Sequence, residues 1–262
     1  MKLSELKAKK IKIPPRFIIY GPEGVGKSTL ASGAPGPVLW LDLEDGASQL
    51  EVARFPFEGG TYAQKYEDVL SALKEIKEQD HKFKALVLDG LGSLESLIWD
   101  YVCREETKRT GKNHSGIESF GFGRGYTFAQ RELRAFTNKL DKIRKDRGMV
   151  IILIGHSQIK LYKNPEGDDF DRYQLRMHDK AAGYLKEWCD LLGFMRFEEG
   201  AAKSETDTKA KGYSTGKRIL NLQRSASFDA KTRFPLDKTI TIEGASSFEL
   251  LNPSKKRLKV AK

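Results

Sequence analysis

RFIIYGPEGVGKST, residues 16–29, joins a β-rich apolar run to a glycine-rich loop and the first residues of a helix. From Gly21 to Ser28 it satisfies GxxxxGK[ST], the pattern of a phosphate-binding loop, in the strand–loop–helix context that makes this pattern specific. The glycines let the backbone approach phosphates, and the amides of the loop and of the helix start carry partial positive charge towards them. A chance glycine turn is the weaker alternative in this context.

The same stretch supplies the residues expected to hold ATP. We expect Lys27 to reach the β- and γ-phosphates and Ser28 to bind Mg²⁺. The predicted nucleotide-binding residues are Gly21, Pro22, Glu23, Gly24, Val25, Gly26, Lys27, Ser28, Thr29 and Asp89.

Asp89 ends a second apolar run, ALVLD, at residues 85–89. A carboxylate at the carboxyl end of a buried strand can hold the Mg²⁺ shell opposite Ser28, as the Walker B aspartate does. Many buried strands end in an aspartate that only caps a helix or a turn. The phosphate-binding loop upstream favours the metal-binding interpretation.

An acidic cluster follows the intervening strand in VLWLDLEDG, residues 38–46. Alternation along a strand places Asp42 and Glu44 on one face, so one carboxylate can support the site while the other activates the attacking water. We predict Glu44 as the general base. A solvated acidic turn is the alternative, because Asp45 adds a third carboxylate.

VIILIGHSQ, residues 150–158, ends a further apolar run in polar residues. At the carboxyl end of a central strand, His156 is the better candidate to face the γ-phosphate and Gln158 the lesser. The alternative is a histidine with a purely structural role.

Strands alternate with helices along the chain, which predicts an α/β fold with a mostly parallel sheet and antiparallel strands near the C-terminus. We predict a basic arm at 1–15, one ATPase core at 16–245 and a basic tail at 246–262. The predicted strands are Arg16–Tyr20, Val38–Leu43, Ala85–Leu88, Val150–Ile154, Leu191–Phe197, Arg218–Leu222 and Thr239–Ile242. One predicted helix starts in GVGKSTLAS. The others span Tyr66–Gln79, Leu94–Glu105, Tyr126–Arg147 and Ala181–Asp190.

Three polar stretches lack apolar periodicity. Thr107–Gly125 is rich in glycine and cations, and Lys160–Asp179 contains Asn164, Pro165 and Gly167, so both are predicted as long loops. Glu198–Gly216 is predicted as a mobile hairpin tip.

The charge balance indicates a polyanionic partner. The 262 residues carry a formal net charge of +10, and lysines and arginines are concentrated at both ends of the sequence. A basic but merely soluble surface is the alternative. Two cysteines and no bilayer-length apolar run predict a soluble cytoplasmic protein without a membrane partner.

The order of GPEGVGKST, LDLEDG, ALVLDG and IGHSQ resembles the RecA-type ATPase core. SFGFGRGY, DRYQLRMHDKAA, LKEWCDLLGF and FDAKTRFPL more closely resemble bacteriophage ATP-binding proteins that are minimal RecA-like cores, some of them single-strand annealing proteins. The resemblance covers roughly residues 15–243. It implies ATP and Mg²⁺, a homo-oligomeric ring or filament, single-stranded DNA as a partner, and a role in phage recombination inside the host cell. A single-strand DNA-binding protein is a further candidate partner.

Carried onto this sequence, the resemblance makes Lys27, Ser28, Glu44 and Asp89 the ATP and Mg²⁺ residues. His156 stands where recombinases usually carry a glutamine, which leaves its coupling role open. The stretches Thr107–Gly125 and Lys160–Lys180 correspond to the DNA-holding loops. Cations track phosphates there and aromatic rings stack on bases, unless the rings pack under their own loop. The candidate DNA contacts are Lys108, Arg109, Lys112, Phe122, Arg124, Tyr126, Lys160, Lys163 and Arg172.

Lys231 and Arg233 resemble the Lys-x-Arg element that RecA-like motors insert into a neighbouring subunit's ATP site. Such cations neutralise charge on the γ-phosphate. Ordinary surface charges are the alternative. The predicted catalytic set is therefore Lys27, Glu44, His156, Lys231 and Arg233.

These features predict an ATPase whose hydrolysis is slow and depends on DNA or assembly. The same site would serve a helicase loader or replication accessory motor that recognises a protein partner. A small-molecule kinase fits less well, because the basic glycine-rich stretches suit a polymer better than a metabolite. A nucleotide-dependent scaffold without catalysis fits poorly with the predicted Glu44 and Asp89.

Overall fold

A sheet built around the strand before the glycine-rich loop organises the protein. The computed structural model describes residues 13–57, 60, 62–202 and 211–252. Within these residues ten strands are joined: β1 (Arg16–Gly21), β2 (Val38–Asp42), β3 (Ala53–Arg54), β4 (Ala85–Asp89), β5 (Val150–Tyr162), β6 (Phe170–Leu175), β7 (Leu191–Ala202), β8 (Lys211–Asn221), β9 (Lys231–Thr232) and β10 (Thr239–Ile242).

The strand order is β10-β8-β7-β1-β5-β4-β2-β3, with β6 paired to β5 and β9 paired to β7. The strands from β7 through β1 to β3 are parallel, whereas β8, β9 and β10 are antiparallel to their neighbours. The predicted fold class is confirmed: a mostly parallel sheet with antiparallel C-terminal strands. Because β1, β2 and β4 all end beside the same part of β5, around Ile154–His156, the residues that follow them meet there.

Helices cover both faces of the sheet. In the described ranges they are α1 (Lys27–Ser32), α2 (Tyr66–Glu78), α3 (Leu91–Thr110), α4 (Arg124–Asp146), α5 (Asp179–Trp188) and two 3-10 helices, Ile117–Phe120 and Ala245–Leu251. Helix α1 and the last 3-10 helix pack on one face, and α2 to α5 pack on the other. On α4, Leu133, Phe136, Leu140 and Ile143 recur at helical spacing and are buried. None of the described helices is long and apolar enough to span a membrane.

The stretch predicted as a long loop at Thr107–Gly125 is mostly helical. Helix α3 continues to Thr110, a 3-10 helix follows at Ile117–Phe120, and α4 begins at Arg124. Ion pairs one turn apart on α3 accompany this extension, from Lys108 to Glu105 and from Arg109 to Glu106. The prediction failed because a high content of glycine and charged residues does not by itself indicate a loop. Gly111 only ends α3, with φ 69°.

The prediction of an irregular stretch at Lys160–Asp179 was also wrong. Strand β5 continues to Tyr162 and pairs with β6, so a two-stranded ribbon extends beyond the sheet edge. Asn164, Pro165 and Gly167 occupy only the connection between the two strands. Turn residues at the tip of a hairpin are compatible with strands on both sides, so they do not indicate an irregular stretch by themselves.

Three further predicted segments, the hairpin tip, the basic arm and the basic tail, include residues outside the described ranges. Strands β7 and β8 occupy much of Glu198–Gly216, and the rest of the predicted hairpin tip, 203–210, lies outside the described residues. Most of the basic arm, 1–12, and the tail residues 253–262 lie outside them too. The boundary at 246 needs correction, because Ala245–Leu251 is a 3-10 helix with Phe248 and Leu251 buried in the core.

Candidate nucleotide site

The glycine-rich loop leaves β1 in close contact with the neighbouring strand β7. A β-carbon at Gly21 would lie 2.0 Å from the carbonyl oxygen of Met195, so no larger residue fits without moving a strand. At Gly26, which precedes α1, φ is 95°, a conformation that favours glycine. The two glycines are therefore required by packing and by backbone conformation, respectively.

The side chain of Lys27 is folded back into the loop and is only 6% exposed. Its Nζ donates to the carbonyl oxygen of Pro22 at 2.8 Å and to that of Gly21 at 3.1 Å. Burial lowers the pKa of this ammonium group. A phosphate oxygen is a stronger acceptor than either carbonyl, so the ammonium is placed to exchange these bonds for a bond to a nucleotide.

Ser28 and Asp89 meet across the loop. The Ser28 hydroxyl donates to Oδ2 of Asp89 at 2.7 Å. Burial, more than any other influence, raises the pKa of Asp89 to about 6. A hydroxyl and a carboxylate at this distance are oxygen ligands of the kind Mg²⁺ takes together with phosphates and water. The described residues contain no cluster of three metal-ligating side chains, so the pair fits a shared metal–nucleotide site better than an all-protein metal site.

Asp42 braces the turn after β2. Its side chain is fully buried, and its two carboxylate oxygens accept the amides of Glu44, Gly46 and Ala47 at 3.1–3.2 Å. These three hydrogen bonds hold the carboxylate inside the turn. Of the two carboxylates that the sequence left in competition, Asp42 therefore has a structural role in the turn.

Glu44 projects beside the residue after Asp89. A β-carbon at Gly90 would lie 2.5 Å from Oε1 of Glu44. The same Oε1 accepts the Ser93 hydroxyl at 2.9 Å, and Oε2 lies 3.3 Å from Nε2 of His156. The hydrogen bond to His156 is the main reason that the pKa of Glu44 is lowered. Glu44 is therefore an ionised carboxylate held at the site, as a base must be.

The imidazole of His156 lies between the loop and Glu44. Its Nδ1 is 3.3 Å from Oε1 of Glu23, a loop residue that Arg176 also approaches at 3.4 Å. Gln158, the lesser candidate on the same strand, instead donates to the backbone carbonyls of Leu175 and Met177. Ser93 and Arg176 were not predicted from the sequence. Ser93 follows Asp89 by four residues and could have been suspected, but Arg176 comes from a stretch predicted as loop.

A comparison with models of protein families matches residues 13–234 to a family described as an AAA domain. The chain belongs to this AAA-domain family. An AAA domain with this phosphate-binding loop is a nucleotide-binding ATPase domain. A comparison with curated protein sequences gave no significant match. Among solved structures, the AAA-domain protein is similar to a crystal structure of the RadB recombinase, with 15% identity, 87% of each chain covered and a TM-score of 0.42.

The first predicted DNA region of the AAA-domain protein contains one fully exposed aromatic ring. Phe122 is fully exposed and has φ 47°. Tyr126, in contrast, stacks on His178 with ring centroids 3.9 Å apart, and Phe120 stacks on His114 at the same distance. Contacts with other rings therefore account for Tyr126 and Phe120 but not for Phe122. The cations Lys108, Arg109, Lys112 and Arg124 all lie at the surface around this segment.

The second predicted DNA region contains two paired lysines and one buried arginine. Lys160 pairs with Asp179 and Lys163 with Asp169, each at 2.6 Å. Arg172 is only 3% exposed and pairs with Asp229 at 2.8 Å. Its prediction as a DNA contact needs correction, because a buried guanidinium held by Asp229 and by the backbone carbonyls of Ser225 and Phe228 cannot reach a phosphate backbone.

Lys231 and Arg233 lie near the amino ends of the parallel strands, whereas the loop lies at their carboxyl ends. Strand β9 pairs with Leu191 and Leu192 at the start of β7, whereas the loop follows the end of β1. Both cations donate to the carbonyl oxygen of Glu187, and Arg233 also pairs with Asp190 at 2.8 Å. Neither can contact a nucleotide held by its own subunit, so their predicted role requires a neighbouring subunit.

Proposed function

We propose that this AAA-domain protein hydrolyses ATP in a Mg²⁺-dependent reaction with Glu44 as the general base. The observation that carries the proposal is the position of the Glu44 carboxylate, fixed by Ser93 and His156 beside the strand end that holds Asp89. The matched AAA domain supports the nucleotide, and the geometry supports the role of each residue.

Each of the site residues has its own role in the proposed hydrolysis. Lys27 and the loop amides orient the phosphates and neutralise their charge. Ser28 and Asp89 would hold Mg²⁺, which supplies further positive charge at the phosphates when it is bound. Glu44 accepts a proton from the attacking water. The ring of His156 keeps that carboxylate ionised and reaches Glu23 in the loop, a position suited to sensing the γ-phosphate.

We further propose that the protein assembles into homo-oligomers and binds single-stranded DNA in phage recombination or annealing, alone or with a single-strand DNA-binding protein. The net charge of +10 and the exposed ring of Phe122 beside surface cations support a single-stranded partner. Ion pairs with neighbouring carboxylates occur in both regions, at Lys108 and Arg109 as well as at Lys160 and Lys163. The burial of Arg172 removes one candidate contact from the second region, which supports the first region as the larger part of the proposed interface.

Hydrolysis and assembly can be tested together. ATP turnover would be measured with and without a single-stranded oligonucleotide, alongside molecular mass in ATP and in ADP. The expected result is turnover that rises with DNA and an assembled state in ATP. Lys27→Ala should abolish turnover in both conditions, and turnover surviving in that variant would contradict the ATPase assignment.

One observation favours the helicase-loader or accessory-motor alternative. On the β5–β6 ribbon, Ile159 is 59% exposed and Leu161 is 56% exposed, two residues apart on the same strand face. Paired exposed aliphatic side chains suit a protein contact better than a phosphate backbone. ATP-dependent assembly without affinity for single strands at low salt would favour this alternative.

A further inference from the structure

Arg218 lies beside the phosphate-binding loop without a polar partner among the described residues. It stands on β8 opposite Phe197 of β7, and its guanidinium lies 5.9 Å from the centre of that ring. Its Nε atom is buried and has no hydrogen-bond partner in the part of the chain that the structure describes. A buried guanidinium nitrogen left unpaired costs free energy, so such a group in a folded protein suggests a missing ligand.

The side chain of Arg218 reaches the loop itself. Its Cδ and Nε atoms lie 3.6 Å and 3.7 Å from the position that a β-carbon would take at Gly26. Met195 of β7, the strand between β8 and β1, packs against the same glycine. The guanidinium is therefore next to the turn of the loop that directly precedes Lys27 and Ser28.

The strand order sets the direction in which a nucleotide would lie. Asp89 and Glu44 follow β4 and β2 on one side of β1, whereas β7 and β8 lie on the other side. A triphosphate whose γ-phosphate faces Glu44 must extend its α-phosphate away from β4. That direction leads towards Arg218.

We propose that Arg218 binds the α-phosphate of the nucleotide held by its own subunit. A guanidinium presents paired N–H donors that match phosphate oxygens, and stacking on Phe197 keeps the fork oriented. This inference rests on the proposed nucleotide site. It differs from γ-phosphate sensing, because the α-phosphate is present in both ATP and ADP.

The test is the affinity of purified Arg218→Ala for ATP and for ADP, measured by calorimetry with Mg²⁺. We expect both affinities to fall by a similar factor, about 10- to 100-fold, the scale of a charge-assisted hydrogen bond. Arg218→Lys should lie in between, because it keeps the charge without the fork. Lys217→Ala removes one positive charge from an exposed neighbour on the same strand and should bind both nucleotides like the wild type.

Two results would overturn the proposal. One is Arg218→Ala binding both nucleotides as tightly as Lys217→Ala does, and the other is a loss confined to ATP, which would move the contact to the γ-phosphate. Melting temperatures identify any folding defect, and Arg218→Lys then provides the comparison of ATP with ADP. Lys27→Ala is measured in parallel. If it loses nucleotide while Arg218→Ala does not, this inference alone fails, whereas unchanged binding by Lys27→Ala would refute the nucleotide site.

Discussion

Nε2 of His156 lies 3.3 Å from Oε2 of Glu44, so a ring from the middle of β5 contacts the carboxylate proposed as the base. The other nitrogen of that ring lies 3.3 Å from Glu23 in the phosphate-binding loop. One imidazole therefore lies between the loop and the proposed base, and we expect a change at bound phosphates to affect the Glu44 carboxylate.

Glu44→Gln should slow ATP hydrolysis by about 10²-fold or more while leaving ATP affinity nearly unchanged, because the amide keeps the volume but cannot accept the proton. Single-turnover rates and calorimetric affinities measure the two effects. The matched control is Asp42→Asn, which should lower the melting temperature because it disturbs three amide bonds in the turn. A larger catalytic loss in a well-folded Asp42→Asn protein would make Asp42 the base.

His156→Ala should move the acidic limb of the kcat profile to higher pH. The hydrogen bond from His156 is the main cause of the lowered pKa of Glu44, so removing it raises that pKa and the base becomes protonated at a higher pH. His156→Gln retains a donor and should shift the limb less. Profiles of kcat against pH for the three proteins measure this, and superimposable limbs would contradict the coupling.

Phe122→Ala should weaken binding to single-stranded DNA by about 1–3 kcal/mol without changing the salt dependence, because a stacked base contributes no counterion release. Lys112→Ala should instead flatten the slope of log K against log salt by about 0.7 for each phosphate contact removed. Fluorescence anisotropy across a salt series separates the two. Equal affinity of Phe122→Ala and the wild type would remove the ring from the interface.

Replacing Lys231 and Arg233 by alanine should leave monomer folding and ATP affinity nearly intact but reduce hydrolysis in the assembled state. Asp190 still pairs with Arg16 and Arg144 after the change, so no uncompensated buried charge results. Mixtures with wild-type subunits should then show activity that varies nonlinearly with the mixing ratio. A strictly proportional response would indicate that the two cations act only within their own subunit.

Glu95→Gln should remove part of the pH dependence of stability. Burial raises the pKa of Glu95 from 4.5 to about 7, so the folded state binds its proton more tightly and the free energy of unfolding falls as pH rises between these values. His178, whose pKa burial lowers, acts in the opposite direction, and Lys160 favours the ionised carboxylate. The wild type should lose roughly 1–3 kcal/mol relative to Glu95→Gln over this range. Chemical denaturation at several pH values measures the difference, and parallel curves would contradict it.

The fold could be predicted wherever the burial pattern repeats along the chain. Ala85–Asp89 is buried at every position, as a central parallel strand is, and the spacing on α4 matches one buried face. The prediction failed where it relied on residue composition and not on the spacing of apolar residues along the chain. In the β5–β6 ribbon, exposed Ile159 and Leu161 alternate with polar residues, and the turn residues between the strands obscured this pattern.

The sequence predicts which residues lie at the site where their type and their position along a strand are sufficient. It does not predict roles that depend on tertiary contacts. The position of Glu44 follows from the end of β2, but its separation in role from Asp42 depends on which carboxylate the turn amides occupy. Arg172 and Lys160 carry the same charge in the sequence. Only the tertiary contacts distinguish a guanidinium buried against Asp229 from an ammonium at the surface.

The contact between Gly21 and the backbone of Met195 affects how mutational scans of this protein are interpreted. Substitutions at Gly21 should score as loss of function alongside those at Lys27, yet the cause would be displacement of β7 rather than lost affinity for phosphate. Abundance measured in the same cells separates the two classes, since Gly21 variants should be depleted from the soluble pool and Lys27 variants should not. The first glycine of the motif would then count as evidence for strand packing rather than for ligand binding.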